Sequence, residues 1–215
     1  MPRIPKFSEK ELELEKKELL TFIRANKPKV TNWTEHKASW NGCKLCTLHE
    51  HRTKICLARG AVPCNVLFVG ESPGQSENVL GQPFIGNAGK LLDELIGDAL
   101  HQCRRPEKIK VAFTNLVACI PLEPDGRTMV DPTKEQVEAC SVRLQEFVDL
   151  TKPRAIVMAG RFSQKYAPKS IDYDFEFSLD IIHPAALLRL DASQGPLAIQ
   201  RTTVSIRDLF NQVEP

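Results

Sequence analysis

Residues 66–74 read Val66-Leu67-Phe68-Val69-Gly70-Glu71-Ser72-Pro73-Gly74: four apolar residues run without a break into a turn bounded by glycines. A short apolar run closed by turn residues is the mark of a strand buried on both faces, the kind that parallel sheets contain. Working outward, Leu91, Leu92, Leu95, Ile96, Ala99 and Leu100 fall at helical spacing and predict a helix from Ala88. Val111-Ala112-Phe113 predicts a second buried strand, stopping at Thr114-Asn115. Val137, Cys140, Leu144, Phe147 and Val148 mark one face of a helix that opens near Asp131-Pro132-Thr133 and runs to about Leu150. Ala155-Ile156-Val157-Met158 and Leu179-Asp180-Ile181-Ile182 complete the strands, and a last helix is expected within residues 197–212. Strands that alternate with helices make right-handed βαβ units. The expected fold is therefore α/β, a three-layer α/β/α arrangement around a central, mainly parallel four-stranded sheet.

In such sheets ligands bind beyond the carboxyl ends of the strands. Gly70–Gly74, Asn115, Gly160 and His183 are the segments that fall there. The first of them is not a phosphate loop, because no Lys-Ser/Thr pair follows, and it is not G-x-G-x-x-G. A nucleotide-cofactor site is disfavoured on that ground. The 215 residues suit one domain with a small appendage, and their 42% hydrophobic and 26% charged composition is ordinary for a globular protein. No apolar run approaches the ~18–20 residues that span a bilayer, and the charged start is unlike a secretory signal. A cytoplasmic, nucleoid-associated protein with no membrane partner is expected. The formal net charge of +2 neither demands nor excludes nucleic acid, although basic residues gather at 101–110 and recur at Arg189, Arg201 and Arg207. Ser8-Glu9-Lys10-Glu11 reads as a capping box that opens a helix to about Asn26. Residues 1–42 are expected as an arm and helix packed on a main domain at 43–215, with Lys27–Asn41 a connector and Cys43–Arg59 irregular.

Seven cysteines in a reducing compartment point to metal or redox chemistry more than to disulfides. Cys43-x2-Cys46 is followed by Cys119 after 72 residues and by Cys140 after a further 20. Spacing alone accommodates zinc and an iron–sulfur cluster equally, since both accept four thiolates. Cys56, Cys64 and Cys103 read as core or surface thiols.

The stretch from Gly70 to Leu92, GESPGQSENVLGQPFIGNAGKLL, resembles the family 4 (iron–sulfur) uracil-DNA glycosylases. Thr114-Asn115-Leu116-Val117-Ala118-Cys119, Glu138-Ala139-Cys140 and His183-Pro184-Ala185 resemble further family motifs in the same order, so the likeness runs from about Cys43 to Leu190. It implies a monofunctional enzyme that flips uracil out of single- or double-stranded DNA and hydrolyses its N-glycosidic bond, leaving an abasic site. It implies a [4Fe–4S] cluster on Cys43, Cys46, Cys119 and Cys140, and a monomer. Gly70, Glu71, Ser72, Phe84, Asn115 and His183 are the implied base-binding residues. Phe84 would stack on the base, although a phenylalanine is more often simply core. Asn115 would read the base edge with an acceptor and a donor together, the bland alternative being a turn cap. His183 would donate to uracil O2 as negative charge grows there. Glu77 and Glu71 join His183 as the catalytic set, Glu77 carrying more of the chemistry and Glu71 shaping the pocket near uracil C5 against thymine. Leu187 or Leu188 is either a wedge for the minor groove or a buried leucine.

Three departures from the family pattern stand out. Ser72 replaces the usual Ala or Gly, Asn78 replaces a common acidic residue, and the loop from Pro121 to Pro132 is long. Two alternatives stay open on these grounds: the same fold acting on another damaged or modified base, or a non-catalytic DNA-binding relative.

Overall fold

The structure, a computed structural model, describes residues Val30 to Val213 and, before them, only Leu14, Glu18 and Phe22. The expected helix from Ser8 to about Asn26 otherwise lies outside the described residues. By compactness the chain divides into Met1–Val30 and Thr31–Pro215, and all that follows concerns the second unit.

Five strands form one sheet: β1 (Arg59–Gly60), β2 (Val66–Gly70), β3 (Val111–Asn115), β4 (Ala155–Ala159) and β5 (Phe177–Ile181). Their order is β1-β3-β2-β4-β5. The four expected strands are parallel to their neighbours, and the fifth, β1, pairs antiparallel with β3. Two residues are too short for any periodicity to announce, which is why the expected count was one too low. β5 also sits earlier than expected: Ile182, half exposed, falls beyond its end.

Seven helices surround the sheet among the described residues. They are α1 (Trp33–Trp40), α2 (Gln75–Leu80), α3 (Asn87–Gln102), α4 (Lys134–Thr151), α5 (Arg161–Ser170), α6 (Pro184–Leu187) and α7 (Gly195–Gln212). Three correct the sequence reading outright. α1 occupies the expected connector, α2 fills the loop after β2, and α5 links β4 to β5. α4 starts at a capping box in which Thr133 Oγ1 accepts from Gln136 N and Gln136 Oε1 accepts from Thr133 N. Pro132 thus stands before the cap rather than in the first turn.

The pleat of β2 explains the three layers. Val66 and Phe68 face α3 and α7, packing with Leu92, Leu95, Ile96, Ile206, Leu209 and Phe210. Leu67 and Val69 face α4 and α5, packing with Val137, Leu144, Phe147, Val148 and Ala167. All four β2 side chains are fully buried, each worth about 1.5–3 kcal/mol of transfer free energy. α1 is anchored differently: Trp40 Nε1 donates to Glu146 Oε1 at 2.7 Å, His36 Nδ1 lies 2.7 Å from the same oxygen, and Trp33 packs on Phe147.

The chain passes from β2 to β3 on one side and then, through α4, to β4 on the other. That reversal opens a crevice at the carboxyl ends of β2 and β4. Register sharpens it: Gly70 lies opposite Asn115 and Ala159 opposite Ile181, so the residues that follow meet at one edge.

Candidate active site

A cleft of about 1030 Å³ opens at that edge, and Glu71, Ser72, Glu77, Phe84, Asn115 and His183 all line it. Gly70 lies directly beneath. A Cβ there would fall 2.4 Å from Asn115 Oδ1 and 2.5 Å from Phe84 Cζ, so the close approach of the carboxamide and the ring needs a residue without a side chain.

Phe84 is held in a left-handed backbone conformation, φ 55°, a costly state for a bulky residue that persists only when its surroundings enforce it. Two side chains do so. Glu77 Oε1 accepts from Ile85 N at 3.0 Å and Gly86 N at 2.7 Å, while its Oε2 accepts from Gly74 N at 3.2 Å. From the other side Arg59 donates to Pro83 O at 2.9 Å and Phe84 O at 3.0 Å, and its Nη2 meets Asp93 Oδ1 at 2.7 Å. The ring of Phe84 ends beside His183, centroids 6.5 Å apart and planes 27° from parallel.

Asn115 ends β3 and is 2% exposed. Among the described residues its carboxamide makes no hydrogen bond, whereas its backbone carbonyl accepts from Arg143 Nη2 at 2.6 Å. The residue lines the cleft, so the donor and acceptor of its carboxamide are available to a ligand there.

His183 caps α6: its Nδ1 accepts from Ala185 N at 3.1 Å. With Nδ1 an acceptor, the neutral ring carries its proton on Nε2. Burial, then the charge of Arg189, lowers the His183 pKa, against a smaller opposing pull from Glu77. Gly160, at φ 90°, lies against this histidine, and a Cβ there would come within 2.8 Å of His183 Cβ.

Glu71 is raised to about 7 by burial, and then by the neighbouring Asp131 carboxyl. Asp131, like Met129, reaches the cleft from the long loop. The sequence reading did not include it, and the length of the Pro121–Pro132 segment was the only sign. Arg161, Lys165 and Arg189 also line the cleft. The first two stand on α5, the helix that went unseen. The basic stretch at 101–110 precedes β3 and so lies at the opposite end of the sheet. Leu187 is buried and Leu188 half exposed, so the short helix α6 offers only the second to a partner. Asn78 explains its departure from an acid: its Oδ1 accepts from Thr53 N at 2.8 Å and its Nδ2 donates to Thr53 Oγ1 at 3.3 Å, and a carboxylate has no such donor.

The four cysteines of the expected ligand set come from four segments of the fold. Cys43 follows α1, Cys46 caps the 3-10 turn Thr47–His49, Cys119 follows β3 and Cys140 lies in α4. Cys43, Cys46 and Cys119 each sense the charge of Cys140. Donors point at the sulfurs: the backbone N–H of Leu45 at Cys43, that of Leu48 at Cys46, and Arg52 Nη1 at Cys119 Sγ, 3.2 Å away. Burial outweighs these donors, pushing Cys46 up to about 11 and Cys119 to about 12. No three His, Cys, Asp or Glu side chains among the described residues stand close enough to hold a metal ion. Cys56 and Cys64 are buried in the fold, Cys56 Sγ donating to Glu77 O at 3.0 Å, and Cys103 packs against the α3–α7 core.

Comparison with known proteins accords with this geometry. A model of the Uracil DNA glycosylase superfamily matches residues 58–203. The chain is 40% identical to a type-4 uracil-DNA glycosylase of Sulfurisphaera tokodaii over 58% of its own length and 52% of the relative's. It is 36% identical to that of Archaeoglobus fulgidus over 62% of each. Against these two the chain thus spans between about half and three fifths of the relative. The type-4 enzyme of Pyrobaculum aerophilum is 34% identical over 71% of this chain and 83% of its own. In fold, the chain is similar to the crystal structure of Pedobacter heparinus SMUG2, with a TM-score of 0.52 at 13% identity, covering 69% of this chain and 76% of that one. With its cleft at the switch point of a UDG-like sheet, and with these matches along its length, the chain belongs to the uracil DNA glycosylase superfamily, among the type-4 enzymes.

Proposed function

We propose that the protein removes uracil from DNA by hydrolysing the N-glycosidic bond of deoxyuridine, leaving an abasic site for base excision repair. The observation that carries this reading is that Asn115, Phe84 and His183 line one cleft, the Asn115 carboxamide making no hydrogen bond among the described residues. A flipped uracil offers N3–H and O4 to such a carboxamide, and cytosine presents the opposite pattern at that edge. Phe84 gives the base a flat surface, and the clamp made by Glu77 and Arg59 keeps that surface fixed. As the glycosidic bond lengthens, electron density moves onto uracil O2, and the Nε2–H of neutral His183 donates to it. Glu71 faces the C5 side of the base, where a methyl group would collide.

Glu77 has one lone pair left, on Oε2, for the attacking water; of its other three acceptor positions two hold the Phe84 loop and one holds Gly74 N. Glu77→Ala is therefore expected to lower single-turnover uracil release by about 10²-fold. Near-full cleavage by that variant would remove Glu77 from the catalytic set. Arg161, Lys165 and Arg189 are assigned to the DNA backbone flanking the flipped nucleotide, whether the strand is single or paired. Leu188 is assigned to the gap the base leaves.

Cys43, Cys46, Cys119 and Cys140 are proposed to hold a [4Fe–4S] cluster. The donor set fits such a group: four thiols within one another's field, with N–H groups aimed at three of them, suit thiolate ligands. When bound, the cluster would cross-link the segment after α1 to the end of β3 and to α4. The protein is read as a monomer, as the family resemblance implies. Seven free thiols suit a reducing cytoplasm. The glycosylase unit is taken as 43–215 with 1–42 an arm before it, of which α1 packs on α4.

The test combines two measurements on one preparation. Aerobically purified protein is expected to be brown, with iron and sulfide in equal amounts, and to free uracil from a uracil-containing oligonucleotide. Colourless protein holding zinc would sink the cluster, and binding without base release would favour a non-catalytic relative. A second reading concerns the base itself, because Asp131 stands beside Glu71 in the cleft. A panel of hypoxanthine, xanthine and modified-pyrimidine oligonucleotides separates the two: faster release of any of these than of uracil would change the substrate.

A further inference from the structure

Arg143 is 1% exposed, one helical turn beyond Cys140 on α4. Its guanidinium makes four hydrogen bonds: Nη1 donates to Leu57 O at 3.3 Å and Thr114 Oγ1 at 2.7 Å, and Nη2 to Asn115 O at 2.6 Å and Leu116 O at 3.1 Å. Every acceptor is neutral, and three of the four belong to the end of β3. The Nε–H has no partner. Arg143 forms no ion pair with a carboxylate among the described residues. A guanidinium cannot shed its proton at any ordinary pH, so this charge stays in the interior, where an unbalanced charge is strongly disfavoured.

Negative charge would be supplied on one side once the four cysteines bind a cluster as thiolates. Arg143 and Arg52 are the two cations whose fields reach Cys43, and Cys140 precedes Arg143 by three residues on the same helix. Four cysteine thiolates around an iron–sulfur core carry net negative charge. The two guanidiniums then bracket that charge, Arg52 from the Cys119 side and Arg143 from the base pocket.

We propose that Arg143 is a positioning residue that joins the four-cysteine site to the base pocket, its guanidinium fixing the backbone that carries Asn115 while the thiolates of the cysteine site supply its countercharge. The proposal rests on the iron–sulfur reading above. It gives the cysteine site a role in recognising the base although no cysteine lines the cleft. Loss of the thiolate charge leaves a lone buried cation, and relief of that cation by water or by movement of α4 releases the end of β3.

Three variants of the full chain test it, each read by the midpoint potential of the cluster and by kcat and KM for uracil release. Arg143→Gln removes the charge. Its potential is expected to move to more negative values, because a nearby cation favours the reduced cluster, and its kcat to fall roughly tenfold or more with a smaller change in KM. Arg143→Lys keeps a charge but, as a point donor, cannot span the Thr114 hydroxyl and the carbonyls of Asn115 and Leu116 at the end of β3 together. It is expected to hold the potential near wild type while kcat still falls. Thr114→Val keeps the guanidinium and removes one acceptor, so kcat drops with the potential unmoved, and it serves if Arg143→Gln does not fold. A wild-type potential in Arg143→Gln overturns the countercharge, and an unchanged kcat in Arg143→Lys and Thr114→Val overturns the positioning. A wild-type protein without iron overturns the cluster reading and the countercharge with it, a result separate from either of these.

Discussion

Replacing His183 by alanine is expected to slow uracil release by about 10²–10³-fold, the range found when a donor to developing negative charge is removed. The structure sets the chemical form of the effect. Nδ1 is committed to Ala185 N, so the proton of the neutral ring sits on Nε2, and protonation at Nδ1 would break the cap of α6. Burial and Arg189 both disfavour the imidazolium. The neutral donor therefore persists as the pH falls through the ordinary histidine value of 6.5, and activity that depends on it declines only further down, where the lowered pKa is crossed. The clean measurement is a single-turnover pH profile in a Glu71→Gln background, since Glu71, at about 7, is the other cleft residue expected to titrate near neutrality. A rate that rises as the pH falls below 6.5 in that background would show that the charged ring does the work.

Asn115→Ala is the second large effect. It removes both hydrogen bonds to the base edge while leaving the backbone carbonyl on Arg143, and the native carboxamide has no partner inside the fold to lose. Rate and stability should therefore separate. Uracil release is expected to fall by about 10³-fold or more, because a site built around a hydrogen-bonded base loses most of its advantage when the reader is gone. Thermal stability should change by less than about 1 kcal/mol. Discrimination against cytosine should shrink with the rate. A variant that is inactive because it is unfolded, or one that keeps the preference for uracil, would each remove Asn115 from the role of reader.

The parts of this protein that announced themselves did so for a physical reason. β2, β3 and β4 are continuous apolar runs because both faces of each are covered, and no other element of that length looks the same. Asn115 stood out because it ends such a run, and His183 because it follows the half-covered strand β5 at the same edge, where a parallel sheet gathers its ligands. What stayed hidden lacks a periodic apolar face. α5 is short, polar and carries Pro168, α2 is six residues between glycines, and α1 holds on through His36, Trp33 and Trp40 rather than through aliphatic spacing. Charge was harder still. Arg143 reads in sequence as one more cation on a helix, and only the fold turns it toward three carbonyls. Likewise nothing in the order of residues says that Glu77 spends two acceptor positions on the loop of Phe84. That follows from where the chain turns back after Gly81.

The strand order has a consequence for how the molecule is born. β2 lies at the centre of the sheet, yet its two neighbours, β3 and β4, arrive successively later in the chain, and His183 follows β5. Emerging from the ribosome, Cys43 and Cys46 wait for Cys119 and Cys140, and Asn115 waits for the histidine that faces it. Such long-range parallel pairing closes slowly. Until β5 and His183 have followed, a nascent copy lacks one wall of the cleft, so the proposed activity waits on the last strand of the sheet to fold.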